Sequence, residues 1–319
     1  MLAMYNGEKY IKEQIESIIN QDYDDWKLII QDDGSIDQSW QIVKSYCERD
    51  RRISLVKNDS GHHGAFCNFH ALANRCKDGK KFDIYMFADQ DDVWKRDKLS
   101  FFVNKLDNEA VPCLCYADMD TIDGNGKQID SSVDKVMGIR YTNRYRPFFV
   151  HKVYGCNAAM NAALFFSVPK IHLDKEYVRI LSHDNLYTKF AVALGKVKYF
   201  QVVTMHYRRH EENVTASQQY KFDLSVVLRR VMDLDTLAKD HSKTYSQSLI
   251  AIQMLRSFKQ VDQRFLDNIE QVILAGGIKG LRFIHREHIT WGTTLSDFSR
   301  RITMLTGKYK KYLLVIDEI

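Results

Sequence analysis

Apolar positions along the first 110 residues alternate between two periods. Ile11, Ile15, Ile18 and Ile19 share one face of a helix, and the apolar run over 26–30 then reads as a short strand. The same alternation predicts a helix over 38–47, a strand over 53–56 and a helix over 65–73. A strand over 84–88 and an amphipathic helix over 95–106 follow. Strands alternating with helices imply a largely parallel sheet with helices on its faces. In such sheets ligands bind outside the carboxyl ends of the strands.

Beyond residue 110 the pattern predicts a strand over 113–117, a polar turn around Gly124 and Gly126, and a strand over 153–160. A helix over 183–194 comes next, then a strand pair with a tight connection over 197–207. From about residue 220 the periodicity is helical. The expected organisation is therefore an α/β body over 1–220 with a helical extension over 221–319. Only three prolines occur, and no Gly/Ser/Pro-rich linker divides the chain, so one compact body is expected.

No apolar run approaches the roughly 18 residues of a membrane span, and the opening Met1-Leu2-Ala3-Met4-Tyr5-Asn6 lacks the pattern of a secretory signal. The six cysteines show no repeated Cys-x-x-Cys spacing. A reducing, cytoplasmic setting with thiols as small packing groups is the expectation. The net charge of +5 is concentrated at the end: residues 276–311 hold eight Lys/Arg and two Asp/Glu. That bias suits an anionic surface, or simply a solvated basic face.

Three acidic clusters stand at predicted element ends. Asp32-Asp33-Gly34-Ser35 follows the second strand, where a carboxylate can accept from a nucleotide base or ribose hydroxyl; the same string is also a common turn. Asp89-Gln90-Asp91-Asp92 follows the apolar run 84–88. Three carboxylates in four positions repel one another and are costly to bury without a cation. Hard ions such as Mg2+ or Mn2+ prefer such oxygen ligands. His183-Asp184 opens a helix, where the acid can be an N-terminal cap or a general base.

In this order the clusters resemble the family 2 glycosyltransferases with the GT-A fold. Tyr5-Asn6-Gly7-Glu8-Lys9-Tyr10-Ile11 is similar to the family's first loop and helix. The similarity runs through Gly155-Cys156 to the string Tyr207-Arg208-Arg209-His210-Glu211-Glu212-Asn213-Val214-Thr215. Asp-Gln-Asp-Asp-Val-Trp and Tyr-Arg-x-His-x-x-Asn-Val look most like bacterial rhamnosyltransferases of cell-surface polysaccharide synthesis.

The resemblance implies an inverting transferase using a nucleotide-diphosphate sugar, with dTDP-L-rhamnose the leading donor. It implies Asp33 at the nucleotide base and Asp32 supporting the turn. Tyr5, Asn6, Asp89, Gly155 and Arg208 would join the donor site. Asp91 and Asp92, with His206 or His210, would hold the Mg2+ or Mn2+, and Asp184 would be the catalytic base. His62 and His63 replace the family's usual turn there and read as exposed loop residues.

Trp291, Leu295, Phe298, Ile302 and Leu305 form one helical stripe, expected to pack against the body while the basic face meets lipid headgroups. The region 222–259 suits packing or a homodimer contact. A glycan or lipid-linked acceptor would place the enzyme on the inner face of the plasma membrane. The alternatives are a nucleotidyltransferase, against which the Tyr5-Asn6-Gly7-Glu8 loop counts, and a non-catalytic scaffold, against which the intact acidic clusters count. No nucleic-acid-reading module is present.

Overall fold

The computed structural model describes residues 1–141, 143–211 and 233–314. Strands β1 (Leu2–Met4), β2 (Leu28–Asp32) and β3 (Ile53–Lys57) pair in parallel through helices α1 (Ile11–Ile19) and α2 (Ser39–Cys47). After α3 (Ala65–Asp78) comes β4 (Ile84–Met86), and a parallel bridge from Leu2 to Ala88 joins this run to the first sheet. The chain continues through β5 (Val93–Trp94), α4 (Lys98–Leu106), β6 (Cys113–Asp123) and β7 (Gln128–Asp130). Short helices α5 (Val133–Met137) and α6 (Arg146–Phe149) precede β8 (Ala158–Asn161), α7 (Ala162–Ser167), α8 (His183–Leu194) and β9 (Lys196–Arg209). The second sheet has the order β4-β8-β6-β9-β5, with β7 beside β6. Its β6–β9 pairing is parallel and its β4–β8, β6–β8 and β5–β9 pairings are antiparallel.

The α/β body and the helical end are as the sequence predicts. Differences lie where polar groups replace apolar pattern. The second strand extends to Asp32 because its ladder continues through polar residues: Asp33 N–H donates to the Met4 carbonyl and Asn58 N–H to that of Asp32, both at 2.8 Å. The strand predicted over 153–160 forms only from Ala158. A 3-10 turn holds Gly155–Asn157, and the Asn157 amide donates to the Ala117 and Asp118 carbonyls at 2.9 Å instead. The predicted strand pair over 197–207 is one long strand, and shifts of register against β6 absorb the irregularity that read as a turn.

Helices α9 (Leu234–Leu255), α10 (Gln263–Ala275), α11 (Gly277–Arg286) and α12 (Thr294–Thr306) form the end of the chain. They share the main core with the body. Ser248 donates to the Phe148 carbonyl at 2.6 Å, and Phe258 packs edge-on against Phe190. The expected boundary at 220/221, residues 212–215 of the Tyr207 string and residues 222–232 of the proposed packing region lie outside the described residues. Among the described residues no helix is long and apolar enough to cross a membrane.

Gly195 joins α8 to β9 under the Pro112 carbonyl, where an added Cβ would stand 1.9 Å from that oxygen. Gly195→Ala is expected to cost about 1–3 kcal/mol and to lower the melting temperature by about 2–4 °C for each. Thermal unfolding reads this directly; an unchanged melting temperature would show that the loop yields freely.

Candidate active site

The loops after β1, β2 and β4 meet at the carboxyl edge of the sheet. The Gln90 side chain accepts from Tyr5 N–H and donates to the Tyr5 carbonyl, both at 2.9 Å. Asn6, at φ 46°, donates its N–H to Ser35 Oγ and accepts from Ile36 N–H, each at 2.9 Å. Asp32 organises the turn, accepting from Ser35 Oγ at 2.5 Å and from the N–H groups of Gly34 and Ser35. Asp33 accepts from the Asn58 amide at 2.6 Å and from Gly64 N–H at 2.7 Å, and His63 Nδ1 lies 3.0 Å from it. His63 is exposed, as expected for a loop residue, yet tied to Asp33 of the turn over 32–35.

Asp89 and Asp92 form the most polarised part of the edge. Asp92 is fully buried; one oxygen accepts from Arg208 N–H at 3.1 Å and the other has no partner. Ligand atoms of Asp89, Asp92 and Cys156 lie within 4.8 Å of one another. Burial, then the Asp91 charge, lifts the Asp89 pKa to about 7. Burial with Asp91 and Asp89 raises that of Asp92 well above the carboxylate range. Lys98 lies beneath, donating to the Cys156 carbonyl at 2.6 Å over the Trp94 ring, and burial lowers its pKa to about 7. An orphaned, buried carboxylate oxygen beside a second, half-buried carboxylate is a donor set that fits a hard divalent ion. Burial and these carboxylates push the Cys156 thiol up.

The predicted ligands divide. Asp91 lies beside His210, with 2.7 Å between Oδ2 and Nε2. His206 instead engages Asp120 at 2.7 Å and is not part of the Asp89–Asp92 group. Arg208, expected at the diphosphate, is buried. Its guanidinium donates to the carbonyls of Asp91 at 2.8 Å and Asp123 at 3.3 Å, and pairs with Glu13. It ties β9 to the acidic turn from behind.

Asp184 sits in the first turn of α8 with a partly accessible carboxylate. It accepts from Asn185 N–H at 2.7 Å and Gly155 N–H at 3.2 Å, and His151 Nε2 lies 3.1 Å away. Burial would raise its pKa, but the His151 charge and hydrogen bond, then His183 and Ser182, hold it far below the usual range. Its charge in turn helps to raise Asp89, so the two carboxylates share one electrostatic site. Gly155 was expected to let the backbone approach the donor. The structure gives the glycine another reason: a Cβ there would stand 2.3 Å from His183 Nε2. His183 lies between Phe69 and Phe87, neither ring nitrogen has a partner, and burial lowers its pKa to about 4. Sequence reasoning missed Lys98 and His151, since neither stands in a motif and both arrive by packing.

Residues 1–167 match the family described as "Glycosyl transferase family 2". The chain belongs to that family. Its chemistry is sugar transfer from a nucleotide-sugar donor. It is 27% identical over 223 residues to the dTDP-rhamnosyl transferase RfbG of Shigella flexneri, covering 66% of this chain and 72% of that one. It is 23% identical to the putative glycosyltransferase EpsH of Bacillus subtilis, over 97% of this chain and 91% of EpsH. Among solved structures, S. aureus TarS 1-349 with UDP-GlcNAc superposes with a TM-score of 0.52 at 15% identity, over 99% and 93% of the two chains. The mannosyltransferase PcManGT of Pyrobaculum calidifontis, in complex with GDP-Man and Mn2+, gives 0.53 at 14% identity over 98% and 85%. These likenesses establish the GT-A fold of this family 2 member.

The raised carboxylates generate a pH test. A carboxylate whose folded pKa lies above its unfolded value stabilises the fold at low pH, and that stability is lost as pH rises through the folded value. The Asp89–Asp92 share of metal-free stability should therefore decline as pH rises from about 5 to beyond 7, opposite in sign to the share of the buried neutral His70 and His183. Mg2+ or Mn2+ should raise the melting temperature, more so above about pH 7 than near pH 5, because protons compete for the ligands. Melting curves with metal or chelator across this range decide it; a rise independent of pH, or none, would mean that Asp89 and Asp92 hold no cation.

Proposed function

We propose that the chain is an inverting, metal-dependent glycosyltransferase that moves a sugar to a hydroxyl of a glycan or lipid-linked acceptor, with L-rhamnose from dTDP-L-rhamnose the donor to test first. The observation that carries the mechanism is Asp184: a partly accessible carboxylate kept ionised by two backbone N–H donors and His151, beside the Asp89–Asp92 pair. A carboxylate ionised in this way is in its basic form across the whole neutral range. The acceptor oxygen attacks the anomeric carbon as its proton passes to Asp184 and the bond to the diphosphate breaks. One displacement inverts the anomeric centre.

Asp33, on the turn built by Asp32, would meet the nucleotide base, with Tyr5 and Asn6 closing over it. Asp89 and Asp92 would hold Mg2+ or Mn2+, with Asp91 and its partner His210 at the rim. A bound divalent ion supplies charge neutralisation to the departing diphosphate. Rhamnose is supported by the RfbG likeness and by the Asp-Gln-Asp-Asp-Val-Trp string. A lipid-linked acceptor would bring the enzyme to the cytoplasmic face of the plasma membrane.

Asp184→Asn should lower turnover by about 10²- to 10⁴-fold while nucleotide-diphosphate affinity stays within a factor of about two. Nucleotide-diphosphate release from a panel of nucleotide sugars, with calorimetry for binding, measures both. Full activity in the variant would remove Asp184 as the base. Release from another donor alone would remove rhamnose and leave the class.

A further inference from the structure

The stripe on α12 was expected to face the body, and the structure turns part of it outward. Trp291, before the helix, is buried and donates its indole N–H to the Phe149 carbonyl at 3.3 Å. Phe298, however, is 56% exposed and Leu305 44%, with Ile302 partly exposed between them. The inward face of α12 is formed by Ser299, Thr303 and Met304. The side chain of Leu295 is outside the described ones.

Helix α11 lies against α12 where Gly280 meets Met304, so close that a Cβ at Gly280 would stand 2.5 Å from the Met304 sulfur. Its inward face carries Gly280, Phe283 and Ile284. Its outward face carries Ile278, 63% exposed, with Lys279, Arg282 and Arg286 at the spacing of one helical face. Two touching helices thus present exposed apolar side chains among cations. The two acids of this region are engaged within it, Glu287 by Arg286 and Asp297 by the Trp291 N–H. Lys279, Arg282 and Lys308 have no acidic partner among the described residues.

We propose that the outward faces of α11 and α12 dock this enzyme on an anionic lipid bilayer, the apolar residues entering the headgroup boundary and the cations meeting lipid phosphate. The combination selects the partner. A nucleic acid would engage the cations and leave Phe298 and Ile278 with nothing to cover them. A second copy would bring like charges together. An anionic bilayer satisfies both sets at once, as interfacial amphipathic helices do. The catalytic edge takes no part in this contact, so the inference draws on the sugar-transfer reading only for its purpose, which is access to a lipid-linked acceptor.

The test is sedimentation of the full chain with phosphatidylcholine vesicles, with and without phosphatidylglycerol, alongside metal-dependent nucleotide-diphosphate release from the donor. Wild type should sediment with the anionic vesicles only. K279E/R282E should weaken that binding by at least about 20-fold, each cation near the surface being worth roughly fivefold. F298S/L305S should weaken it at both low and high salt, since the apolar part of binding is not screened. Both variants should keep donor hydrolysis and the wild-type melting profile, which separates loss of docking from loss of fold.

Wild type that stays in solution with anionic vesicles overturns the proposal, as does binding that neither double variant weakens. Binding displaced by RNA and indifferent to F298S/L305S would identify a nucleic-acid face instead. A wild-type dimer that F298S/L305S dissociates would identify a face between copies. Loss of donor hydrolysis in wild type would count against sugar transfer and leave the vesicle result standing.

Discussion

Two carboxylates, one buried and one half-buried, at the mouth of a sheet are the constraint around which this structure is built. Asp89 and Asp92 lie where β4 ends, and charging both without a counter-ion is unfavourable in a buried setting. One buried cation, Lys98, lies beneath them, its own pKa pulled down by burial. The surroundings hold the pair in place without neutralising it. Arg208 gives Asp92 only a backbone N–H and spends its guanidinium on two carbonyls and Glu13, while Gln90 laces the turn to the loop of Tyr5. The frame therefore fixes the geometry and leaves a negative charge to be met by something that binds.

How much of this was legible in the sequence depends on the range of the interaction. The run from Ile84 to Ala88 announces a buried strand, and acids directly after it can only lie at its carboxyl end. That local logic puts Asp32, Asp33, Asp89 and Asp92 at strand ends, whereas Asp184 opens a helix and its place beside them followed only from the family resemblance. Lys98 looked like an ordinary first-turn residue of an amphipathic helix, and its burial depends on Cys156 and Met205 arriving from far along the chain. His151 reaches Asp184 for the same reason. Arg208 was expected at the diphosphate because a guanidinium suits paired phosphate oxygens, whereas packing turns it inward onto the carbonyls of Asp91 and Asp123.

The α12 stripe shows a different limit. A period of 3.6 identifies an amphipathic helix and says nothing about which face the protein covers. Here small polar side chains fill the contact: Ser299 and Thr303 hydrogen-bond back into their own helix, from Ser299 Oγ to the Ser296 carbonyl and from Thr303 Oγ1 to that of Ser299. A hydroxyl satisfied in this way is buried at little cost. At Gly280 the missing side chain leaves the space between the helices to Met304. The bulkier Phe298 and Leu305 consequently end outside.

The acidic groups at the carboxyl edge of the sheet are pushed in opposite directions by their neighbours. Asp184 gains backbone N–H donors and a histidine, so its charged form is favoured; Asp89 and Asp92 gain burial and each other, so their charged forms are disfavoured. Separation of this kind assigns roles within a site. In the proposed reaction the base is ionised before anything binds, whereas Asp89 and Asp92 would hold a cation whose charge favours their ionised forms. Donor and metal would then assemble together against a base that is already in place.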